Sequence, residues 1–259
     1  MMAETLRTSR VREWARSRWR DWVITLAAFV LALIVGAILM IAADPAVSSN
    51  FAYLFTAPGL ALGAAWTKVS TAYAALLNGA IGSPEALAAT TAAAAPLICA
   101  GLAVGLAFRA GLFNIGAQGQ AIVASMAAAY VGFAWSLPPV VHLVVAVAAG
   151  LIVGGVWGGL VGWLKARTGA HEVIVTIMMN YLAAGLLAWA LTTTAFQRPG
   201  RADPISPEVP DSAAFPQLWG QLHLGFFVAL AAAVAVGWLL ERSTVGFAIR
   251  AVGANPSAA

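Results

Sequence analysis

The sequence predicts an all-α fold, a polytopic transmembrane helical bundle of about six spanning helices, and three observations predict it. Hydrophobic residues make up 61% of the 259 positions and charged residues only 9%, against about 25% charged in ordinary globular chains. Uncharged runs recur that match or exceed the roughly 20 residues a helix needs to cross a bilayer core. The lysines and arginines gather on alternate connections, which is how a multi-pass chain records its orientation. One bundle follows, because a chain dissolved in lipid does not divide into water-soluble domains by length. The single cysteine, Cys99, lies in an apolar run without the partners of a disulfide or a metal site, and reads as a small packing residue.

The elements run in order. Residues 1–21 are a basic head: six of the fourteen Lys and Arg residues lie between Arg7 and Arg20. Trp22 to Ala43 is an uncharged run of 22 residues. A cleaved signal peptide would carry an apolar region of only about 7 to 15, so this is the first span. From Asp44 to Gly82 the signal blurs: Pro45, Pro58, Lys68 and Asn78 interrupt it, an interfacial and a re-entrant helix fit equally, and no span is assigned. Ser83 as N-cap, Pro84 at the first helical position and Glu85 in the first turn open a second span that continues to Phe108, with Pro96 as a kink. Further spans are expected over 115–135, 139–164, 172–194 and 222–240. The connection from Gln197 to Gly220, with five prolines and charges of both signs, reads as a polar loop outside the membrane. Domain boundaries follow at 1–21, 22–240 and 241–259.

With the N-terminus inside, Arg7, Arg10, Arg12, Arg16, Arg18, Arg20, Arg109, Lys165, Arg167, Arg242 and Arg250 face the cytoplasm, and Lys68, Arg198 and Arg201 lie outside. The basic head is thereby a topology signal, and the nucleic-acid reading of the net charge of +4 is removed.

Three stretches carry polar chemistry. "FRAGLFNIGAQGQ", residues 108–120, sets Arg109, Asn114, Gln118, Gln120 and three glycines in an apolar surrounding. Non-helical backbone at membrane depth is tolerated only where protein encloses it or it lines a cavity. Arg109 suits a helix C-terminus, and Asn114 and Gln118, four apart, can share a helical face. A tight turn whose amides bond neighbouring helices fits the same residues. Gly150, Gly154, Gly158 and Gly162 recur every four residues, a small-xxx-small stripe that lets another backbone approach, with a helix of the same chain favoured as its partner. "HEVIVTIMMN" spaces Glu172, Thr176 and Asn180 four and four on one face, as expected of a stripe turned to the bundle interior. Glu172 is also simply favourable at a helix N-terminus. Tyr181 and Trp189 read as apolar packing. The final segment mixes small residues with Arg250, Asn255 and Pro256 and reads as a short surface helix and a turn; its end at Ala259 looks cut short.

"FRAGLFNIGAQGQ", "HEVIVTIMMNYLA" and "ERSTVGFAIRAVGANPSAA", in this order, resemble the permease subunits of ABC importers of the nucleoside and simple-sugar type, relatives of the ribose and branched-chain amino acid permeases. The resemblance covers roughly Ser83 to Ala259. It implies an N-terminal fragment of a permease of about ten helices in a bacterial-type plasma (inner) membrane. It implies partners: an ATPase subunit carrying the ATP, a second permease subunit and an extracytoplasmic solute-binding protein, with no cofactor on this chain. It also makes 241–259 a coupling segment for the ATPase, with Phe247, Ile249, Arg250, Gly253, Ala254, Asn255 and Pro256 as its contact residues. The expected solute path comprises Asn114, Gln118, Gln120, Glu172, Thr176 and Asn180. Gln118 departs from the family, where a glutamate is expected. A passive channel would need no coupling segment, and an intramembrane enzyme would need more convergent groups than Glu172 supplies; His142, His171 and His223 are scattered.

Overall fold

The structure, a computed structural model, describes residues 2–255, without the side chains of residues 2–18, 20 and 21. Pro256 and the arginine side chains between Arg7 and Arg20 lie outside the described residues. Contacts divide the chain into two units, 1–83 and 84–259.

In the first unit, α1 (Met2–Ala43) runs without a break from the basic head into the apolar span. Asp44 caps the one-turn α2 (Pro45–Ser48), its Oδ1 accepting from Ala46 N at 2.9 Å, and a 310 turn follows at Ser49–Tyr53. The blurred region then resolves as α3 (Pro58–Ile81), 24 residues long. Pro45 and Pro58, read as interruptions, are helix starts, where a missing N–H costs nothing. Tyr73 Oη donates to the Leu33 carbonyl, and Gly36 leaves room for the approach: a Cβ there would lie 3.1 Å from that hydroxyl, a tight contact. Lys68 pairs with Asp44 at 2.6 Å.

The second unit comprises α4 (Pro84–Arg109), α5 (Ala117–Ala134), α6 (Pro139–Thr168), α7 (Glu172–Ala190), α8 (Leu224–Arg242) and α9 (Thr244–Ala254), with a small antiparallel hairpin of β1 (Gln217–Trp219) and β2 (Leu222–His223) before α8. Helix α4 stays helical through Pro96. Among the described residues, five helices are long and apolar enough to cross a membrane: residues 22–43 of α1, then α4, α6, α7 and α8. Helix α5, the expected third span, is 18 residues long and is not among them; Gln118 and Gln120 in its first turn dilute its apolarity. It is nevertheless the centre of the unit, packed on both α6 and α7.

Glycine contacts fix the directions. A Cβ on Gly150 would lie 3.2 Å from the Ala124 carbonyl, one on Gly154 would lie 3.1 Å from Ala124 Cβ, and one on Gly158 would strike the Gln120 carboxamide. Rising numbers on α6 meet falling numbers on α5, so the pair is antiparallel. Gly116 meets Thr176 and Gly119 meets Asn180, so α5 and α7 are parallel. Gly155, Gly159 and Gly162 face open space. At the far end of α5 lies a small core of Val131, Ala146 and Ala213, and His142, hydrogen-bonded to the Val131 carbonyl, is 1% exposed. Cys99, Tyr181 and Trp189, read as packing residues, are exposed instead: outward positions of a membrane helix are as apolar as inward ones, so residue type does not separate them.

Candidate functional site

Between α4 and α5 the chain leaves the helix in a way its glycines require. Gly111 takes φ +72, its N–H donates to the Phe108 carbonyl at 3.1 Å, and Leu112 N donates to the Ala107 carbonyl at 2.9 Å. These two bonds are the Schellman ending, which satisfies the last carbonyls of α4. Asn114 Oδ1 then accepts from Gly116 N at 2.7 Å, an Asx turn that aims the chain into α5.

The N-terminus of α5 is completed from another helix. Asn180 Oδ1 accepts from Gly119 N at 2.8 Å, and its Nδ2 donates to the Ile115 carbonyl at 3.0 Å. The side chain acts as an N-cap supplied by α7, satisfying one amide that every helix start leaves unpaired. The approach depends on glycine. A Cβ on Gly119 would lie 2.8 Å from Asn180 Oδ1 and 3.1 Å from the Met179 carbonyl, and one on Gly116 would lie 3.1 Å from Thr176 Cβ. Thr176 is 1% exposed, and its hydroxyl donates to the Val173 carbonyl at 3.0 Å.

Beside this break lies a cavity of about 370 Å³. Ala103, Leu106 and Ala107 of α4 wall one side, and Ala110, Leu112, Phe113 and Asn114 come from the break. Gln120 of α5, Gly158, Val161 and Gly162 of α6, Glu172 and Thr176 of α7 and Ile249 of α9 complete it. The wall is chiefly apolar with four polar side chains, the usual make-up of a small-molecule site. Glu172 Oε2 pairs with Lys165 Nζ at 2.5 Å, tying the start of α7 to the last turn of α6.

Helix α9 reaches the same place. Ser243 caps it, its Oγ accepting from Gly246 N at 2.9 Å. Gly246 is buried so tightly on the end of α8 that a Cβ would strike the Leu239 carbonyl. At the other end Gly253 meets the end of α4: a Cβ there would strike the Arg109 carbonyl and lie 3.0 Å from Gly111 N, while one on Gly111 would lie 3.2 Å from Gly253 Cα. Two glycines far apart in sequence touch backbone to backbone.

Of the residues assigned to a solute path, Asn114, Gln120, Glu172 and Thr176 line the cavity. Gln118 is exposed on the other face of α5; Asn114 precedes the helix, so the four-residue spacing does not bring the two together. Asn180 stands behind the wall with both ends of its amide engaged. Of the terminal segment, Ile249 lines the cavity and Gly253 packs on α4, whereas Phe247 is 68% exposed, and Arg250, Ala254 and Asn255 are exposed too. Sequence reasoning missed Phe113 and took Lys165 for a topology charge only. The separation of seven between Lys165 and Glu172 crosses a helix break at Gly169, φ +68, so periodicity does not join them.

A family described as branched-chain amino acid transport system / permease component matches residues 86–259. The chain is 40% identical over 194 residues to the guanosine ABC transporter permease protein of Bacillus subtilis, covering 74% of this chain and 56% of that one. It is 32% identical over 213 residues to the glucose ABC transporter permease protein of Haloferax volcanii (78% and 56%). It is 31% identical over 199 residues to the nucleoside ABC transporter permease protein of Lactococcus lactis subsp. cremoris (72% and 54%). The chain spans about half the length of these curated relatives. No solved structure gives a significant match.

Proposed function

We propose that this chain, which belongs to the family of branched-chain amino acid transport system permease components, is the membrane permease of an ATP-driven importer. On this reading it moves a nucleoside or a simple sugar into the cytoplasm by alternating access. The observation that carries the reading is the backbone contact between α9 and the α4–α5 break, Gly253 on Gly111, beside a cavity that Ile249 helps to wall. A passive channel has no use for a surface helix joined to its cavity in this way.

Orientation has support within the second unit. Arg109, Lys165, Arg167, Arg242 and Arg250 all belong to helix ends or to α9 at the cavity end of the unit. In the loop that packs on the opposite end, Arg198 and Arg201 are each paired with a carboxylate. The cavity end is therefore the cytoplasmic one on the positive-inside rule, and the loop from Gln197 to Gly220 faces out. An ATPase subunit docks on the exposed face of α9, a second permease subunit completes the pathway, and an extracytoplasmic binding protein delivers the solute. ATP is held by the ATPase and no cofactor by this chain.

The solute class draws on the names of the relatives, a guanosine, a nucleoside and a glucose permease. It also draws on the donors and acceptors in the cavity: two neutral amides, a hydroxyl and one carboxylate suit a polyhydroxylated ligand. The test is uptake of labelled guanosine, glucose and leucine by the full-length protein with its ATPase and binding protein. We expect ATP-dependent uptake of guanosine or glucose, and its abolition by Ala254→Glu at unchanged expression, since a charge on the exposed end of α9 obstructs docking. Flux indifferent to ATP and to Ala254→Glu refutes the importer reading, and uptake of leucine alone refutes the solute class.

A further inference from the structure

Ile249 belongs to a surface helix, yet its side chain contributes to the wall of the cavity. Its neighbours on α9 do otherwise: Phe247 is 68% exposed and Arg250 is exposed. The helix that carries it is clamped at both ends by glycines without room for a Cβ, Gly246 against the end of α8 and Gly253 against the end of α4. An 11-residue helix held in this way transmits a push on its exposed face to its inward face with little loss, because packed backbone shifts as a body and does not deform continuously.

We infer that Ile249 is the gate between this cavity and the aqueous side on which α9 lies, opened and closed by movement of α9; the inference rests on the importer reading above. A branched aliphatic side chain in a chiefly apolar cavity wall repels water, and where movement of α9 carries it across the opening, a hydrated polar solute does not pass. Glu172 is the other group at the cavity that draws the eye, but its ion pair with Lys165 ties α7 to α6 and leaves α9 out. Among the described residues, only Ile249 belongs both to the cavity wall and to α9. Its role therefore differs from docking: Phe247 and Val252, both exposed, meet the partner, while Ile249 meets the solute.

The test uses the full-length permease reconstituted with its ATPase and binding protein in proteoliposomes. Ile249→Ala should let preloaded solute leak without ATP several-fold faster than wild type and raise the ATP consumed per solute imported. Ile249→Cys, in a Cys99→Ser background, should leak in the same sense, and a bulky apolar thiol reagent should close the leak again. The cysteine variant also carries the test if Ile249→Ala does not accumulate in the membrane. Wild-type leak and wild-type ATP stoichiometry in these variants, alongside ATP-driven uptake by the parent, overturn the gate and leave the importer reading standing. Uptake by the parent that needs no ATP overturns both.

Discussion

At its start α5 gives the Gly119 N–H to Asn180 Oδ1 of α7, and near its end the Val131 carbonyl takes the Nε2–H of His142 of α6 at 3.1 Å. Both ends are thus finished by a side chain from a neighbouring helix, yet the two bonds differ in what stands behind them. Val131 already accepts the helical bond from Trp135 N at 3.2 Å, and Gly132 there meets the tip of Val209, a side chain. Gly119 has no helical partner for its N–H; its nearest neighbour is the Asn180 carboxamide, with backbone close behind, Asn180 Cα and the Met179 carbonyl each 3.1 Å from where a Cβ would lie. The cavity end is built from rigid parts with single points of failure; the loop end is built from side chains that can give. On the importer reading, a site that must hold a shape while a helix is pushed past it needs the first kind of construction, and a face that receives a partner tolerates the second.

The largest effect that would break this comparison belongs to Asn180. Asn180→Leu leaves a buried N–H and a carbonyl unpaired, at about 1–3 kcal/mol for such a group, reduced toward about 1 kcal/mol where the lipid-embedded chain finds substitutes. We expect a clear fall in the temperature at which the detergent-solubilised protein loses its monodisperse peak, and a fall in uptake beyond that of Leu187→Ala at equal expression. Gly119→Ala should produce the same defect by displacing α7. The two combined should cost less than their sum, because each removes the same contact. Strict additivity would mean that Asn180 is not the cap.

How much of this was readable in the sequence depends on which force set each feature. The apolar runs, the helix start at Pro84 and the polar break at 108–120 were legible, because bilayer thickness and backbone hydrogen bonding act locally along the chain. Helix α3 was not, since Lys68 and Asn78 dilute its apolarity and prolines that start helices look like prolines that end them. Within the site, the face shared by Thr176 and Asn180 was legible from spacing. The division of labour on that face, with Thr176 in the cavity wall and Asn180 capping α5, was not, because it depends on where another helix begins. The meeting of Gly111 with Gly253 is a contact between residues 142 apart (253 minus 111), and no periodicity reports a contact of that range.

A smaller effect is expected at the other end. The Val131 carbonyl only accepts, so the proton of His142 is on Nε2, and Nδ1 accepts from the Ser212 hydroxyl at 2.9 Å. Substituting His142 by Leu keeps the apolar volume, leaves Val131 its helical bond and lets Ser212 turn to other partners. The cost should be about 1 kcal/mol, that of an ordinary hydrogen bond. The change should appear as faster proteolytic nicking of the loop between Gln197 and Gly220 and as weaker apparent affinity for the loaded binding protein, with ATP coupling unchanged. If His142→Leu instead uncoupled ATP hydrolysis from uptake as α9 variants do, the two ends would not be separable and the comparison would fail.

The smallest effect belongs to the ion pairs of that loop. Arg198 Nη2 meets Glu208 Oε1 at 2.6 Å, and Arg201 meets Asp203 through Nε at 2.8 Å and Nη2 at 2.9 Å. Each arginine, by its hydrogen bond, holds its partner carboxyl below the ordinary carboxylate range. A group whose folded value is lowered adds stability above its unfolded value and loses that stability as pH falls through the folded one. Any contribution is therefore complete at neutral pH and disappears only below about pH 4. It is also small, because Glu208 is 87% exposed and solvent screens such pairs. Glu208→Gln and Asp203→Asn together should leave uptake at neutral pH within about twofold of wild type, as expected of solvent-screened pairs, and should flatten any acid-side rise in loop nicking. The Arg198 backbone N–H still donates to the Ile205 carbonyl at 2.9 Å, so the turn survives without the pair. A large loss of uptake at neutral pH with the loop still resistant to protease would give these carboxylates a direct part in receiving the binding protein, and would move the loop end from adaptable scaffold to specific contact.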